Sequence, residues 1–141
     1  MRAVIDTNVF VGACLGNGKA ANVIEAALRA RFTPLMGAAL LAEYEDVLGR
    51  AELFRKSRLS AAEREDLLDI FFAACEWVRV YYLWRPNLPD EADNHVLELA
   101  VAAGGATILT FNRKDFSSGE LRFPEVAIQA PASWLRENFK E

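Results

Sequence analysis

Apolar residues along this chain fall into short clusters with two periods, one suited to buried strands and the other to amphipathic helices. Ala3-Val4-Ile5 is a continuous apolar run closed by an acid, and residues 3–6 read as a first buried strand. Thr7 or Asn8 can cap the helix that follows, since both accept bonds from free amides. Gly16-Asn17-Gly18 interrupts that helix. A second helix is predicted over about 20–30, with Val23, Ala26, Ala27 and Ala30 on one face. Residues 32–36 form a short strand containing Pro34, which lacks an amide hydrogen and so points to a position towards a sheet edge. Residues 38–49 are helical, with a stripe of Leu40, Leu41, Tyr44, Val47 and Leu48, and Gly49 as a stop.

Ser60-Ala61-Ala62-Glu63 is a capping box opening another helix, whose buried side is Leu67, Leu68, Phe71 and Phe72. Residues 77–82 read as a strand, and Pro86 and Pro89 mark a loop. Asp90 caps a helix running to about Ala103, with Val96, Leu99, Ala100 and Ala103 at helical spacing, and Gly104-Gly105 ends it. Residues 107–109 and 126–129 are two further strands, and Pro131 starts a last helix carrying Trp134, Leu135 and Phe139. Strands alternating with helices imply an α/β fold with a parallel sheet covered on both faces.

The length of 141 residues fits one domain, residues 1–141, and an apolar fraction of 52% supplies its core. No apolar run is long enough to span a bilayer, and the N-terminus shows no secretion signal. The expected compartment is therefore the cytoplasm, with no membrane partner. Cys14 and Cys75 lie in no CxxC pair and read as small buried hydrophobes. The net charge is −4, and no basic excess advertises nucleic-acid binding.

Acids are placed unusually. Asp6 closes an otherwise apolar strand, and burying a carboxylate is costly unless a partner or metal compensates. In open α/β sheets, ligands bind at the carboxyl ends of strands. Glu43, Asp90, Asp93 and Asp115 follow where other elements would deliver them. Acids converging from distant segments suit a hard divalent cation. If Asp6, Glu43, Asp93 and Asp115 form one cluster, they carry the whole net charge. Each has a plainer reading. Asp6, Asp90 and Asp115 could be turn or cap residues, and Asp93 could complement a helix dipole. Glu43 could belong to a solvated face. Periodicity alone does not choose between Glu43 and Glu45, which flank the apolar stripe on opposite sides. His95 reads as structural or as a neighbour of a ligand, and Arg113 as a phosphate contact or a solvated cation.

Together these residues resemble the PIN-domain family of metal-dependent ribonucleases over essentially the whole chain. Val4-Ile5-Asp6-Thr7-Asn8-Val9 is similar to the family's opening strand and first metal-binding Asp. Glu43-Tyr44-Glu45-Asp46-Val47-Leu48 is similar to its second motif, which selects Glu43. Asp90-Glu91-Ala92-Asp93-Asn94 is similar to the third, with Asp93 the stronger ligand, and residues 107–116 to the fourth. Many members carry Thr-Gly-Asp after the fourth strand, where this chain has Thr110-Phe111-Asn112. The form Thr-x-Asn-x-x-Asp-Phe resembles the toxin branch (VapC-type), in which the later acid, here Asp115, takes that role.

The resemblance implies a three-layer α/β/α sandwich around a central, mostly parallel sheet. It implies a magnesium- or manganese-dependent endoribonuclease, the toxin of a type II toxin–antitoxin pair, with an RNA substrate, a cognate antitoxin and often a homodimer. Exposed Trp or Phe residues near the termini could serve that dimer. Asp6, Glu43, Asp93 and Asp115 would be the catalytic metal ligands. Thr7, Asn8, Asp90, Thr110, Asn112 and Arg113 would orient them or touch phosphate. Asn112 in place of an acid also keeps a second reading: a catalytically weak domain that binds RNA or a protein. An Asp-nucleophile phosphatase would want another acid two residues beyond Asp6, where Asn8 stands.

Overall fold

The computed structural model describes residues 1–80, 91–113 and 125–139, and for 91–94 the backbone alone. Five strands form one sheet in the order β3-β2-β1-β4-β5, and every pairing is parallel. They are β1 (Arg2–Ile5), β2 (Thr33–Met36), β3 (Glu76–Trp77), β4 (Thr107–Leu109) and β5 (Ile128–Gln129). Among the described residues six α-helices connect and cover them: α1 (Thr7–Cys14), α2 (Gly18–Leu28), α3 (Ala38–Leu48), α4 (Ala61–Ala74), α5 (Glu91–Ala102) and α6 (Pro131–Asn138). No helix among the described residues is long and apolar enough to cross a membrane.

The chain steps from β1 to β2 to β3 in one direction, then returns to place β4 on the other side of β1. Right-handed crossovers therefore put α1, α2 and α4 on one face and α5 on the other. The packing agrees: α5 lies on β1 and β4, α4 contacts β2 and α2, and α6 lies on α2. Helix α3 touches both α1 and α5, spanning the two layers at the carboxyl end of the sheet. This is the α/β/α sandwich that the sequence implied. Its core is aromatic on the α1–α4 side. Phe10 and Phe71 have centroids 5.3 Å apart, and Tyr44 stacks on Phe71 at 6.0 Å. Each such buried ring contributes about 1.5–3 kcal/mol by leaving water.

Several expectations shift in detail. β2 is not at the edge, because β1 and β3 flank it. Pro34 is tolerated since Thr33 donates to Met1 on the β1 side, while β3 pairs only with Leu35 and Met36. The cap of α1 is Asp6, whose carboxylate accepts from the Thr7 amide at 2.8 Å; Thr7 and Asn8 already belong to the helix. Strand β3 is shorter than 77–82, though Val78 still donates to Met36 at 2.8 Å; residues 81 and 82 lie outside the described residues. Ala30 is exposed and beyond α2 instead of on its packed face. In α4 the capping box forms as predicted, but Phe72 is exposed and Leu67 half-buried, while Arg64 is buried in their stead. Trp134 is buried against Phe32 and Phe139 at the C-terminal end, so it offers no free surface for a dimer.

Candidate metal centre

The order β2-β1-β4 makes the carboxyl end of β1 the point where the chain's direction across the sheet reverses, the usual crevice for ligands in such sheets. Register pairs Ile5 with Leu109, and Asp6 donates its amide to the Leu109 carbonyl at 3.0 Å. Asp6 and Thr110 thus leave neighbouring strands side by side. The Thr110 hydroxyl donates to Asp6 Oδ2 at 2.7 Å, while Oδ1 accepts from Thr7. Asp6 is 5% exposed and Thr110 fully buried. Thr110 Oγ1 in turn accepts from Asn8 Nδ2 at 3.3 Å and from the Asn112 amide at 3.0 Å, and Asn8 Oδ1 accepts from the Phe111 amide at 3.4 Å. Four positions expected around Asp6, namely Thr7, Asn8, Thr110 and Asn112, therefore join one network that fixes its carboxylate.

Helix α3 supplies the second acid. Glu43 is half-buried with Oε2 sealed from solvent, whereas Glu45 is exposed, so burial separates the two residues that periodicity left equivalent. Between them Tyr44 is fully buried, and its hydroxyl donates to the Ile5 carbonyl at 2.6 Å. Helix α3 is thereby tied to the residue preceding Asp6. Burial first, then the charges of Asp6, Cys75 and Glu43, hold the Tyr44 hydroxyl well above the ordinary phenol range. Both carboxylates therefore act on the same buried oxygen. The sequence had marked Tyr44 only as an apolar-stripe residue; a Tyr instead of a Phe on a buried stripe was the available signal of a polar partner.

Asp93 stands in the first turn of α5, with its side chain outside the described residues; Asp90 and Asp115 also lie outside them. Because α5 leads into the start of β4, its own first turn lies at the carboxyl edge, the edge of Asp6. Arg113 is exposed. His95 is half-buried, and its Nδ1 has no hydrogen bond among the described residues. Glu98, unmarked in the sequence, is 3% exposed on α5. Its signal was a carboxylate inside the apolar run Val96-Leu97-Glu98-Leu99-Ala100.

Among the described residues no three His, Cys, Asp or Glu side chains come together as a cage. What they provide is a pair of shielded carboxylates, Asp6 and Glu43. The Thr7 hydroxyl next to Asp6 is buried without a hydrogen bond among the described residues. Hard oxygen donors in low dielectric suit a hard divalent cation.

The family profile described as PIN domain matches residues 2–114. No curated protein matches the chain. Among solved structures, one described as the crystal structure of VapBC2 from Rickettsia felis bound to a DNA fragment from their promoter aligns with a TM-score of 0.60 at 21% identity. That alignment covers 92% of this chain and 98% of the other. At that identity the likeness speaks to the fold alone. With four-fifths of its length inside the matched profile, the chain belongs to the PIN domain family.

Proposed function

We propose that this chain is a metal-dependent endoribonuclease and the toxin of a type II toxin–antitoxin pair. The observation that carries the reading is Asp6: a carboxylate at the switch point of a parallel sheet, buried and fixed by Thr110 and Thr7. Asp6 and Glu43 would hold magnesium or manganese, with Asp93 from the first turn of α5 and Asp115 beyond β4 completing the set. When bound, such an ion neutralises charge on the phosphate and eases attack by water. The chain's own groups do the rest. Thr110 and the Thr7 amide hold Asp6 in one orientation. Asn8 and Asn112 fix the loop after β4. Arg113, exposed beside that loop, meets the phosphate backbone. Phe111, 41% exposed, presents a flat ring on which an unpaired base can stack. The antitoxin partner is supported by the solved VapBC2 assembly of like fold.

Asn112 in place of an acid favours a second reading, a catalytically weak RNA-binding or protein-interaction module. RNA ends sequenced after brief expression of the chain beside its Asp6→Asn variant separate the two. Discrete new 5′ ends present with the wild type and absent with the variant support the nuclease. Equal sets of ends from both, with both folded, would exclude it.

A further inference from the structure

A cavity of about 390 Å³ opens between the start of α3, the residues leaving β3, and α5. A cavity of that order, mostly apolar with a few convergent polar groups, suits a small ligand. Leu40 and Leu99, both buried, give it apolar lining. Trp77, 46% exposed, lines it as well, and the Phe72 ring braces that indole edge to face at 5.9 Å. Glu98, 3% exposed, sets a carboxylate among these residues. A carboxylate has about four acceptor sites, so a bond within the protein leaves room for a ligand. Ala38 and Ala39 line the cavity from the first turn of α3, where helix amides lack intrahelical partners and the cap residue Gly37 brings no side chain to them. His95, three residues before Glu98 on α5, contributes an imidazole whose Nδ1 makes no hydrogen bond among the described residues. The cavity adjoins Asp6. Strands β1 and β2 pair Val4 with Leu35, and that register carried two residues on sets Gly37 beside Asp6, about 5 Å away.

Proteins hold an unpaired nucleobase by stacking it on an aromatic ring and bonding its pairing edge. The donors and acceptors of the cavity decide which base that is. A carboxylate accepts from two donors side by side, and a backbone amide donates to an acceptor next to them. Guanine alone among the four bases presents N1–H and N2–H₂ adjacent, with O6 next in line. Adenine and cytosine turn a ring lone pair to the place of the N1–H. Uracil flanks its single N–H with two carbonyls, one of which would face a carboxylate oxygen. We propose that this cavity is a guanine subsite: Glu98 accepts from N1 and N2, an amide of the first turn of α3 donates to O6, and the base stacks on Trp77. Arg79, exposed in the same lining, meets the phosphate of that nucleotide. The inference rests on the nuclease reading, since it makes the occupant an unpaired guanine beside the phosphate at Asp6.

The test uses the full chain and short fluorescein-labelled oligouridines carrying guanine, 7-deazaguanine, hypoxanthine or adenine at one central position. Fluorescence polarisation is read at low salt in EDTA, so that binding is measured without cleavage. The expected result is that the wild type binds the guanine RNA about tenfold or more above the adenine RNA. 7-Deazaguanine, which keeps N1–H, N2–H₂ and O6, should match guanine, and hypoxanthine, which lacks the 2-amino group, should fall between guanine and adenine. Glu98→Gln, checked for its fold by circular dichroism, should bind the guanine and adenine RNAs alike. Equal binding of all four RNAs by the wild type, or binding of none, overturns the proposal, and that comparison needs no variant. An equal loss across all four RNAs in folded Glu98→Gln also overturns it, since Glu98 would then serve the fold alone. Manganese added afterwards separates the two readings. Guanine preference without cleavage sinks the nuclease and keeps the subsite, whereas cleavage of all four RNAs without preference does the reverse.

Discussion

Asp6 caps α1 and also accepts the Thr110 hydroxyl, so the plain reading of a cap and the functional reading of a ligand describe one carboxylate held from two sides. Thr110→Val removes the second hold. Loss of such an orienting bond typically lowers metal affinity about 10–100-fold. A manganese titration of the folded variant should show that loss, and Thr110→Ser should restore affinity. An unchanged titration would mean Thr110 serves packing alone. Cys75 makes a separate prediction. Burial raises its thiol from the usual 9.0 to about 12, and its Sγ donates to the Phe71 carbonyl at 3.3 Å. A raised folded value means stability is complete below pH 9 and lost as pH rises towards 12. Tyr44 and Cys14, also raised, act with the same sign. Thermal unfolding at pH 8 and pH 10.5 should show a fall in Tm that Cys75→Ala partly removes. Equal falls in both proteins would refute the assignment to Cys75. The sequence had read both cysteines as small hydrophobes; Cys14 is buried and Cys75 half-buried, both free.

At the scale of elements, local chemistry was legible wherever a short motif satisfies its own backbone. Ser60 and Glu63 form their reciprocal bonds at 3.1 and 2.9 Å, and Pro131 starts α6, because those signals need no tertiary partner. Gly104 and Gly105 end α5 with φ of +88° and +94°. A Cβ at Gly105 would come within 2.8 Å of the Glu125 carbonyl oxygen, so Gly105→Ala should destabilise by well over 1 kcal/mol in urea unfolding. Ala30 ends α2 in the same left-handed conformation, φ 59°. The bonds Ala30 to Ala27 and Arg31 to Ala26, both 3.0 Å, are those of a Schellman turn. Ala30→Gly should therefore stabilise by about 0.5–1 kcal/mol, since relief of left-handed strain exceeds the added chain entropy. A destabilised variant in the same urea titration would contradict this. Less legible was the neighbourhood of each element. Pro34 suggested an edge, but a two-residue β3 satisfies β2 without using the proline nitrogen. Phe72 had core spacing, yet the α3–α4 groove leaves it exposed.

For the whole molecule, alternation of strands and helices was enough to imply a parallel sheet, whereas the order β3-β2-β1-β4-β5 was not, because periodicity says nothing about which strands are neighbours. That order is what brings Asp6 beside Thr110 from 104 residues away. Of the site, Asp6 was legible as an acid ending an apolar strand. Periodicity did not separate Glu43 from Glu45; the family resemblance selected Glu43, and α3 half-buries it while exposing Glu45. Tyr44, which ties α3 to β1, required the tertiary contact itself. Tyr44→Phe leaves the Ile5 carbonyl buried without that donor and should cost about 1–3 kcal/mol in urea unfolding. No measurable change would show that this tie does not hold α3.

The proposed nuclease chemistry requires Asp6 and Glu43 to hold a divalent ion. The most direct measurement is calorimetric titration of manganese into the wild type and into Asp6→Asn and Glu43→Gln, each checked for an intact fold. Saturable binding by the wild type, lost or greatly weakened in both variants, is the predicted result. Identical titration curves for all three proteins would contradict it.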